Sequence, residues 1–308
     1  MSAETLRLGM LRLGTRRSAL ALAQSGLVAR AVTEATGHPV ELVHITTLGD
    51  VSTAALTQIG GTGVFVSALR DALLEGTVDF AVHSLKDLPT AAPAGLALAA
   101  VPEREDVRDV LVARDRLKFA DLPAGARIGT GSPRRAAQLR LLRQDLEIVP
   151  VRGNVDTRVG FVTKGELDAV VLAYAGLSRL GRITEATDYF DPAGLVPAPG
   201  QGALAVECRA GEPALAAALA ELDHAPTRAA VLAERALLAA LEAGCSAPVG
   251  GYATVADDAL HLTGIVADTA GPRSIRMSTT GPLDQAERLG HDLAARLLDR
   301  GAAGFMGK

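Results

Sequence analysis

Short apolar segments alternate with amphipathic helices through most of the chain, and this alternation limits the possible folds more than any other feature. The apolar segment 7–14 is followed by Ser18, which is placed to cap a helix with Leu20 and Leu27 on its apolar face, and then by the apolar segment 40–47. Strand, helix and strand in this order form a βαβ unit, and such units favour parallel sheets covered by helices. The sequence therefore predicts an α/β fold.

The alternation occurs in two blocks, which the charged segment 102–108 separates. After the proline- and glycine-rich segment 197–202, residues 203–207 are predicted to form a strand that returns to the first sheet. From Pro226 onward the pattern changes to a long helix, two strands and a closing helix, which is typical of a smaller α+β domain. Since 308 residues exceed what a single core usually accommodates, we expect more than one domain.

Composition argues against several classes of function. The net charge of −4 lacks the basic excess that a protein binding nucleic acid or an anionic membrane needs. No apolar stretch is long enough for a membrane span, and the first residues lack the pattern of a signal peptide. Because there are only two cysteines, and no histidines or cysteines at metal-ligand spacing, we expect a cytoplasmic protein without a disulfide or a metal.

Segment 129–135 has the features of an anion-binding site. Ser132 is placed to cap a helix, Pro133 occupies the first helical position, and Arg134 and Arg135 lie in the first turn. Cations at that end oppose the helix dipole, so helix stability does not explain them. Backbone N–H groups, the dipole and two guanidinium groups together favour a carboxylate or phosphate ligand, and a solvated basic patch is the simpler alternative.

Arginines recur where predicted strands end. Arg16 follows the first strand, and Arg152 and Arg179 occupy similar junctions in the second block. Each one alone is more typical of a surface residue. Their recurrence at these junctions, where open α/β sheets bind ligands, predicts two walls of one cleft for a ligand with several negative charges.

An acid and a base follow another predicted strand, in segment 79–90. Ser84, Lys86 and Asp87 lie just beyond this strand, where Asp87 is placed to handle a proton or to stabilise a cation. An exposed Lys–Asp pair without a function is the alternative. Residues 48–62 are expected to be a mobile cover over the cleft, and Phe65 after them either faces the ligand or fills the core.

Cys245 follows a long helix that is predicted to end at Ala243. A lone cysteine is usually a small buried hydrophobic residue. The carboxyl end of a helix raises the pKa of a thiol, which does not suit a nucleophile that must react at every turnover. A thiol that reacts once with a strong electrophile needs no such activation.

Six segments, taken in order, resemble the signature stretches of the porphobilinogen deaminase (hydroxymethylbilane synthase) family. They are residues 83–89, 129–135, 151–155, 173–181, 199–203 and 242–251. The resemblance implies a transferase of tetrapyrrole and heme biosynthesis that removes ammonia from four porphobilinogen molecules and joins them head to tail into hydroxymethylbilane. It also implies a dipyrromethane cofactor, bound to Cys245 through a thioether, as the primer on which the product grows.

The resemblance assigns roles to further residues. Asp87 matches the catalytic aspartate, which would stabilise the azafulvenium cation that remains when ammonia leaves. Phe65 and Gln201 match residues of the lid and pocket. The positions that match carboxylate-binding residues are Arg16, Ser18, Ser84, Lys86, Thr130, Ser132, Arg134, Arg135, Arg152, Arg158 and Arg179.

Three positions depart from the family's pattern. Thr62 and Ser67 stand in a stretch where many members have lysines, and Gly131 stands where a serine is common. The contacts of those lysines and of that serine therefore do not carry over to this chain.

The resemblance also implies three domains, and we expect a monomer. Two α/β domains, residues 1–104 with 201–222 and residues 105–200, would resemble periplasmic binding proteins and flank the cleft. A smaller α+β domain, residues 223–308, would carry Cys245.

Two other functions remain open at this point. A two-lobed protein that binds an anionic ligand without catalysis would share the cleft and the arginines, but it would not need Cys245 or Asp87. An enzyme that transfers acyl or phosphate groups would use Cys245 as its nucleophile, but no histidine is placed in the sequence as the base. Only the porphobilinogen deaminase would carry two linked pyrroles when purified.

Overall fold

The computed structural model describes residues 9–46, 64–91, 93–244 and 247–306, without the side chains of Val64 and Phe65. The expected cover 48–62, Thr62 and Cys245 therefore lie outside the described residues, as does the side chain of Phe65. The chain divides into two compact units. The first is Met1–Arg104 with Ala203–Arg228, and the second is Glu105–Gly202 with Ala229–Lys308.

The elements below are numbered in chain order. Those of the first half are β1 Leu11–Thr15, α1 Ala19–Thr36, β2 Val40–His44, α2 Val64–Leu74, β3 Phe80–Ser84, β4 Leu96–Ala100, β5 Asp109–Ala113, β6 Arg127–Thr130, α3 Pro133–Leu142 and β7 Glu147–Pro150. Those of the second half are α4 Val155–Thr163, β8 Ala169–Ala173, α5 Tyr174–Arg179, β9 Asp188–Tyr189, β10 Leu204–Arg209, α6 Pro213–Ala220, α7 Ala225–Ala240, β11 Val249–Ala256, β12 Ala259–Ala267, β13 Ser274–Pro282 and α8 Ala286–Asp299.

The first unit contains a sheet with the strand order β2-β1-β3-β10-β4. In it β1 runs parallel to β2 and β3, whereas β10 runs antiparallel to β3 and β4. One core packs strand residues against α1 and α6 through Val28 and Leu215, and a second core contains Leu69 and Leu73 of α2. The predicted return of residues 203–207 to the first sheet is confirmed.

The second unit contains a sheet of the same arrangement, ordered β7-β6-β8-β5-β9. Here β6 runs parallel to β7 and β8, whereas β5 runs antiparallel to β8 and β9. The α/β fold class is confirmed, but the expectation of purely parallel sheets is wrong for β5 and β10. Each of these two strands follows a connecting segment and not a crossover helix. A crossover is needed only between parallel strands, so both strands can run antiparallel to their neighbours.

The second unit also contains the smaller α+β part, an antiparallel sheet β11-β12-β13. Its core includes Leu237 of α7 and Leu293 of α8. The sequence predicted β12 and β13 but not β11, in which glycines interrupt the apolar pattern. A Cβ at Gly250 would lie 2.9 Å from the Val196 carbonyl oxygen, so close packing requires a glycine there.

Both α/β sheets bring predicted site residues to their carboxyl edges. In the first sheet β3 ends at Ser84, which pairs with Leu204 at the start of β10. In the second sheet β6 ends at Thr130, and Asp109 at the start of β5 pairs with Ala173 at the end of β8. Ligands of open α/β sheets bind at such edges.

The division into the three domains given above stays a prediction. None of the described helices is both long and apolar enough to cross a membrane. Within the part of the chain that the structure describes, no group of three or more His, Cys, Asp or Glu side chains is placed to hold a metal ion.

Candidate active site

Asp87 lies in a short 3-10 turn that directly follows β3. Leu85, the first residue of this turn, is completely buried, and its N–H donates to the Ala203 carbonyl oxygen at 3.0 Å. This anchor fixes the turn to the sheet, while Lys86 is half-buried and Asp87 is exposed. The structure therefore holds one carboxylate at the carboxyl edge of the first sheet, in contact with solvent.

Two predicted hydroxyl ligands at the same edge also serve the fold. Ser18 caps α1 as predicted, since its Oγ accepts a hydrogen bond from the Ala21 N–H at 3.3 Å. The Oγ of Ser84 accepts a hydrogen bond from Nε2 of the buried Gln24 at 2.9 Å. Arg16 is half-buried. Binding of a ligand carboxylate by Arg16, Ser18 and Ser84 stays a prediction.

A buried charged cluster lies beside the strand that leads to Asp87. Glu207 of β10 is 3% exposed and accepts hydrogen bonds from Arg70 Nε at 3.0 Å and Nη2 at 2.8 Å. His83 Nε2 lies 3.1 Å from Glu207 Oε2. Burial alone would raise the pKa of Glu207, but His83 and Arg70 outweigh it and lower the pKa to about 2. His83, which precedes the Asp87 turn, is therefore a buried partner of Glu207.

The turn between β6 and α3 has the predicted capping geometry. Ser132 is the N-cap of α3, its Oγ accepts from the Arg135 N–H at 3.4 Å, and Pro133 occupies the first turn. The Ser132 N–H in turn donates to Thr130 Oγ1 at 3.2 Å. Thr130 and Ser132 thus form one compact turn at the carboxyl edge of the second sheet.

The two arginines of that first helical turn are buried and bind a carboxylate of the protein itself, and their predicted contact with a ligand carboxylate stays a prediction. Arg134 and Arg135 are 3% and 5% exposed, and both bind Asp109, which is completely buried. Arg134 Nη2 lies 2.8 Å from Asp109 Oδ2, and Arg135 Nη2 lies 2.7 Å from Oδ1. Burial alone would raise the pKa of Asp109, but the two guanidinium charges outweigh it and hold the pKa well below its usual range.

Gln201 belongs to the same buried cluster. Its side chain is 1% exposed, and Nε2 donates to Asp109 Oδ1 at 2.8 Å and to the Val107 carbonyl oxygen at 2.7 Å. The predicted place of Gln201 in the ligand pocket stays a prediction. We call Asp109, Arg134, Arg135 and Gln201 the Asp109 cluster below.

Two other predicted arginines lie at the surface of the second edge. Arg152 is exposed and follows β7, and Arg158 is half-buried on α4. A Cβ at Gly131 would lie 3.6 Å from Arg158 Nη2, so this guanidinium group is close to the turn between β6 and α3. The same Cβ would lie 2.6 Å from the Val151 carbonyl oxygen. Gly131 therefore replaces the family's serine at a point where this backbone leaves no room for a side chain.

Arg179 also binds the protein itself. Its Nη2 donates to the Gly202 carbonyl oxygen at 2.6 Å, and burial lowers its pKa, which Glu105 partly offsets. Neighbouring Ser178 donates through Oγ to Glu105 Oε2 at 3.0 Å. Arg179 thus holds a backbone turn at Gly202, and its predicted contact with a ligand carboxylate stays a prediction.

The helix before Cys245 ends earlier than predicted. α7 stops at Ala240, and Glu242 adopts a left-handed φ of 49°. The N–H groups of Glu242 and Ala243 donate to the carbonyl oxygens of Ala239 and Leu238, which is a Schellman motif. These bonds satisfy carbonyl groups of the last turn. Cys245 itself lies outside the described residues, so the prediction about its thiol stays a prediction.

The sequence missed the buried acids that organise both edges. Asp109 begins β5, whose other residues are apolar, Glu207 follows three apolar residues of β10, and Glu234 is a completely buried acid of α7. A single acid inside an apolar segment is the signal that could have identified them, because a buried carboxylate requires hydrogen-bond partners.

The second edge has a charge that suits a ligand bearing carboxylates, as a dipyrromethane does. Two guanidinium groups share one carboxylate in the Asp109 cluster, which leaves one net positive charge. The buried Nε of Arg134 has no hydrogen-bond partner among the described residues. The N-terminus of α3, with its positive dipole, lies at the same place. These residues fit the family's cofactor.

Comparisons with known proteins identify the family of this chain. The family model "Porphobilinogen deaminase, dipyromethane cofactor binding domain" matches residues 11–217, and "Porphobilinogen deaminase, C-terminal domain" matches residues 228–299. Porphobilinogen deaminase 1 of Streptomyces coelicolor is 62% identical over 97% of this chain and 98% of its own length. Porphobilinogen deaminase of Thermobifida fusca is 59% identical over 94% of both chains. A periplasmic substrate-binding protein from Coxiella burnetii is 14% identical over 69% of this chain and 92% of its own, with a TM-score of 0.44. The chain therefore belongs to the porphobilinogen deaminase family, whose cofactor is a dipyrromethane.

Proposed function

We propose that this chain removes ammonia from porphobilinogen and joins four molecules head to tail into hydroxymethylbilane. The observation that carries the proposal is the family match, which covers residues 11–217 and includes Asp87. The dipyrromethane, when bound through Cys245, supplies the primer to which the substrate units are added. We further propose that the protein is a monomer and that it is cytoplasmic, the latter because a chain with two cysteines suits a reducing compartment.

Asp87 stabilises the positive charge that develops on the substrate as ammonia leaves. Its turn is anchored by the buried Leu85, so the carboxylate is already in place before the charge forms. A fixed charge of this kind needs little reorganisation during the reaction, which is why such groups contribute strongly to catalysis.

The carboxylates of substrate and product require cations, because each added pyrrole brings two more negative charges. Arg152 and Arg158 at the second edge, and Arg16 at the first, are the arginines that bind them. Arg134 and Arg135 are buried at the second edge. They share the single carboxylate of Asp109, so the Asp109 cluster contributes one net positive charge to this edge. This local arrangement supplies cations in a protein whose net charge is −4.

A protein that binds an anionic ligand without catalysis is the second candidate. The shared strand order of the two sheets and the surface arginines fit it. Asp87 argues against it, because an exposed carboxylate at the binding edge repels an anion.

Intact-mass measurement tests the proposal directly. We expect purified protein to be heavier than its sequence by two linked pyrroles and to colour with an aldehyde reagent for pyrroles. Cys245→Ser should lose both signals and the turnover of porphobilinogen, whereas Cys208→Ser should retain them because Cys208 is a buried residue of β10. An unmodified wild-type protein that still makes hydroxymethylbilane would refute the proposed primer and its attachment.

A further inference from the structure

Glu234 joins three elements of the second unit through one buried carboxylate. It lies on α7 and is completely buried. Its Oε2 accepts from the Gly200 N–H at 2.7 Å, and its Oε1 accepts from the Ala253 N–H of β11 at 2.8 Å. One carboxylate therefore fixes a helix, a strand and the turn at Gly200.

The next residue of that turn continues the connection to the arginines. Gln201 donates to Asp109 at 2.8 Å, and Asp109 binds both Arg134 and Arg135. Arg134 Nη1 in turn donates to the Val196 carbonyl oxygen at 2.7 Å, which holds the other end of the same segment. One hydrogen bond joins Glu234 to the backbone of Gly200, and another joins the side chain of the adjacent Gln201 to the Asp109 cluster. We call this path the carboxylate relay.

Stability alone is a poor explanation for two fully buried carboxylates. Desolvation of each charge is costly, and well-packed apolar residues in such places are often as stable or more so. What a buried, fully hydrogen-bonded carboxylate provides is a fixed geometry, because its partners must lie at set distances and angles. The relay therefore fixes positions within the second unit.

The elements at the far end of the relay flank Cys245 in the sequence. α7 ends at Ala240 and β11 begins at Val249, so the connection that contains Cys245 starts and finishes on elements that Glu234 holds. The near end of the relay is the arginine pair of the proposed carboxylate site. The relay thus connects α7 and β11, which flank Cys245 in the sequence, to Arg134 and Arg135.

We infer that Glu234 and Gln201 are positioning residues of the proposed reaction, which fix the arginine pair relative to the elements that flank Cys245. This inference rests on the proposed function. Neither side chain touches the reacting atoms. Their effect is on alignment, and misplacement of reacting groups by about 1 Å can reduce a rate on the order of 10²-fold.

The test compares Glu234→Gln and Gln201→Met with a matched control, Asp268→Asn. Gln at position 234 keeps the shape but offers one acceptor where two N–H groups need one each. Met at position 201 removes the donor to Asp109. Asp268 is likewise a buried acid of the second unit, 5% exposed and bonded to the Ala270 N–H at 2.8 Å, but it lies in the turn after β12.

Turnover is measured per primer-bearing molecule, counted by intact mass, at one temperature at which every variant is fully folded. We expect kcat to fall about 10- to 100-fold in Glu234→Gln and in Gln201→Met. KM should change much less, because every cation is retained. Asp268→Asn should keep the kcat of the wild type despite a lower melting temperature.

The double variant, Glu234→Gln with Gln201→Met, tests whether the two residues act along one path. Since both changes break one path, their combined effect on kcat should be smaller than the product of the single effects. Independent, multiplicative losses, or losses no larger than in Asp268→Asn, would overturn the inference while leaving the proposed function intact. Should Glu234→Gln not fold, Gln201→Met against Asp268→Asn decides alone. A wild type without primer or turnover would refute the proposed function instead.

Discussion

Glu207 should make the stability of the protein depend on pH in a way that one substitution removes. Its carboxylate is 3% exposed and is bound by Arg70 and His83, which lower its pKa from 4.5 to about 2. Each pKa unit corresponds to about 1.4 kcal/mol. The ionised form therefore contributes about 3 kcal/mol to the free energy of unfolding at neutral pH.

The direction of the pH effect follows from the lowered pKa. The contribution is complete above the pKa of the unfolded chain, 4.5, and is lost as the pH falls toward about 2, where the folded protein also binds the proton. At pH 3 about 1 kcal/mol of it should remain. A protonated glutamic acid and a glutamine have nearly the same shape, so Glu207→Gln should approach the wild type in strong acid.

Urea unfolding of both proteins between pH 7 and pH 3 measures this contribution. We expect Glu207→Gln to be less stable by about 3 kcal/mol at pH 7 and by about 1 kcal/mol at pH 3. Glu147→Gln, which removes an exposed acid 3.7 Å from Arg127, should change stability by less than about 0.5 kcal/mol at every pH. A difference between Glu207→Gln and wild type that does not shrink in acid would refute the assignment of the stability to the ionised carboxylate.

Two further substitutions test the edges of the sheets. Asp87→Asn should retain the primer, by intact mass, and lose about 10²- to 10³-fold in kcat, because a fixed electrostatic stabiliser is removed; turnover near that of the wild type would mean that another group stabilises the cation. Gly131→Ser should lower the free energy of unfolding by about 1–3 kcal/mol in urea titrations, because its Cβ would lie 2.6 Å from the Val151 carbonyl oxygen. Gly160→Ala on α4 is the control, since nothing lies within 4 Å of the new Cβ, and a gain of up to about 1 kcal/mol is expected. Equal effects at both glycines would show that the backbone at Gly131 adapts at little cost.

Local signals in the sequence were reliable where the structure depends on local interactions. The caps at Ser18 and Ser132 formed as predicted, because a cap needs only the helix that follows it. The Asp87 turn lies at a strand end, as its sequence indicated, because the apolar strand before it is itself a local pattern.

Partners distant in the sequence were not predictable in this way. Arg134 and Arg135 bind Asp109, a partner that the sequence did not reveal and that the antiparallel direction of β5 brings to the same edge of the sheet. The direction of a strand depends on how the chain enters the sheet, and no periodicity records it. The end of α7 at Ala240 was missed for a related reason, since the pattern of apolar residues continues past the Schellman motif that stops the helix.

The sequence by itself determined the α/β alternation, the helix caps and the ordered motifs that identify the family. These depend on residues that lie close together in the chain or on their order along it. Only the tertiary structure decided which charges face solvent and which are buried, including Asp87 at one edge and the Asp109 cluster beneath the other. The physical reason is that a charge is buried only where partners from other strands and helices compensate its lost hydration, and those partners meet only in the folded chain.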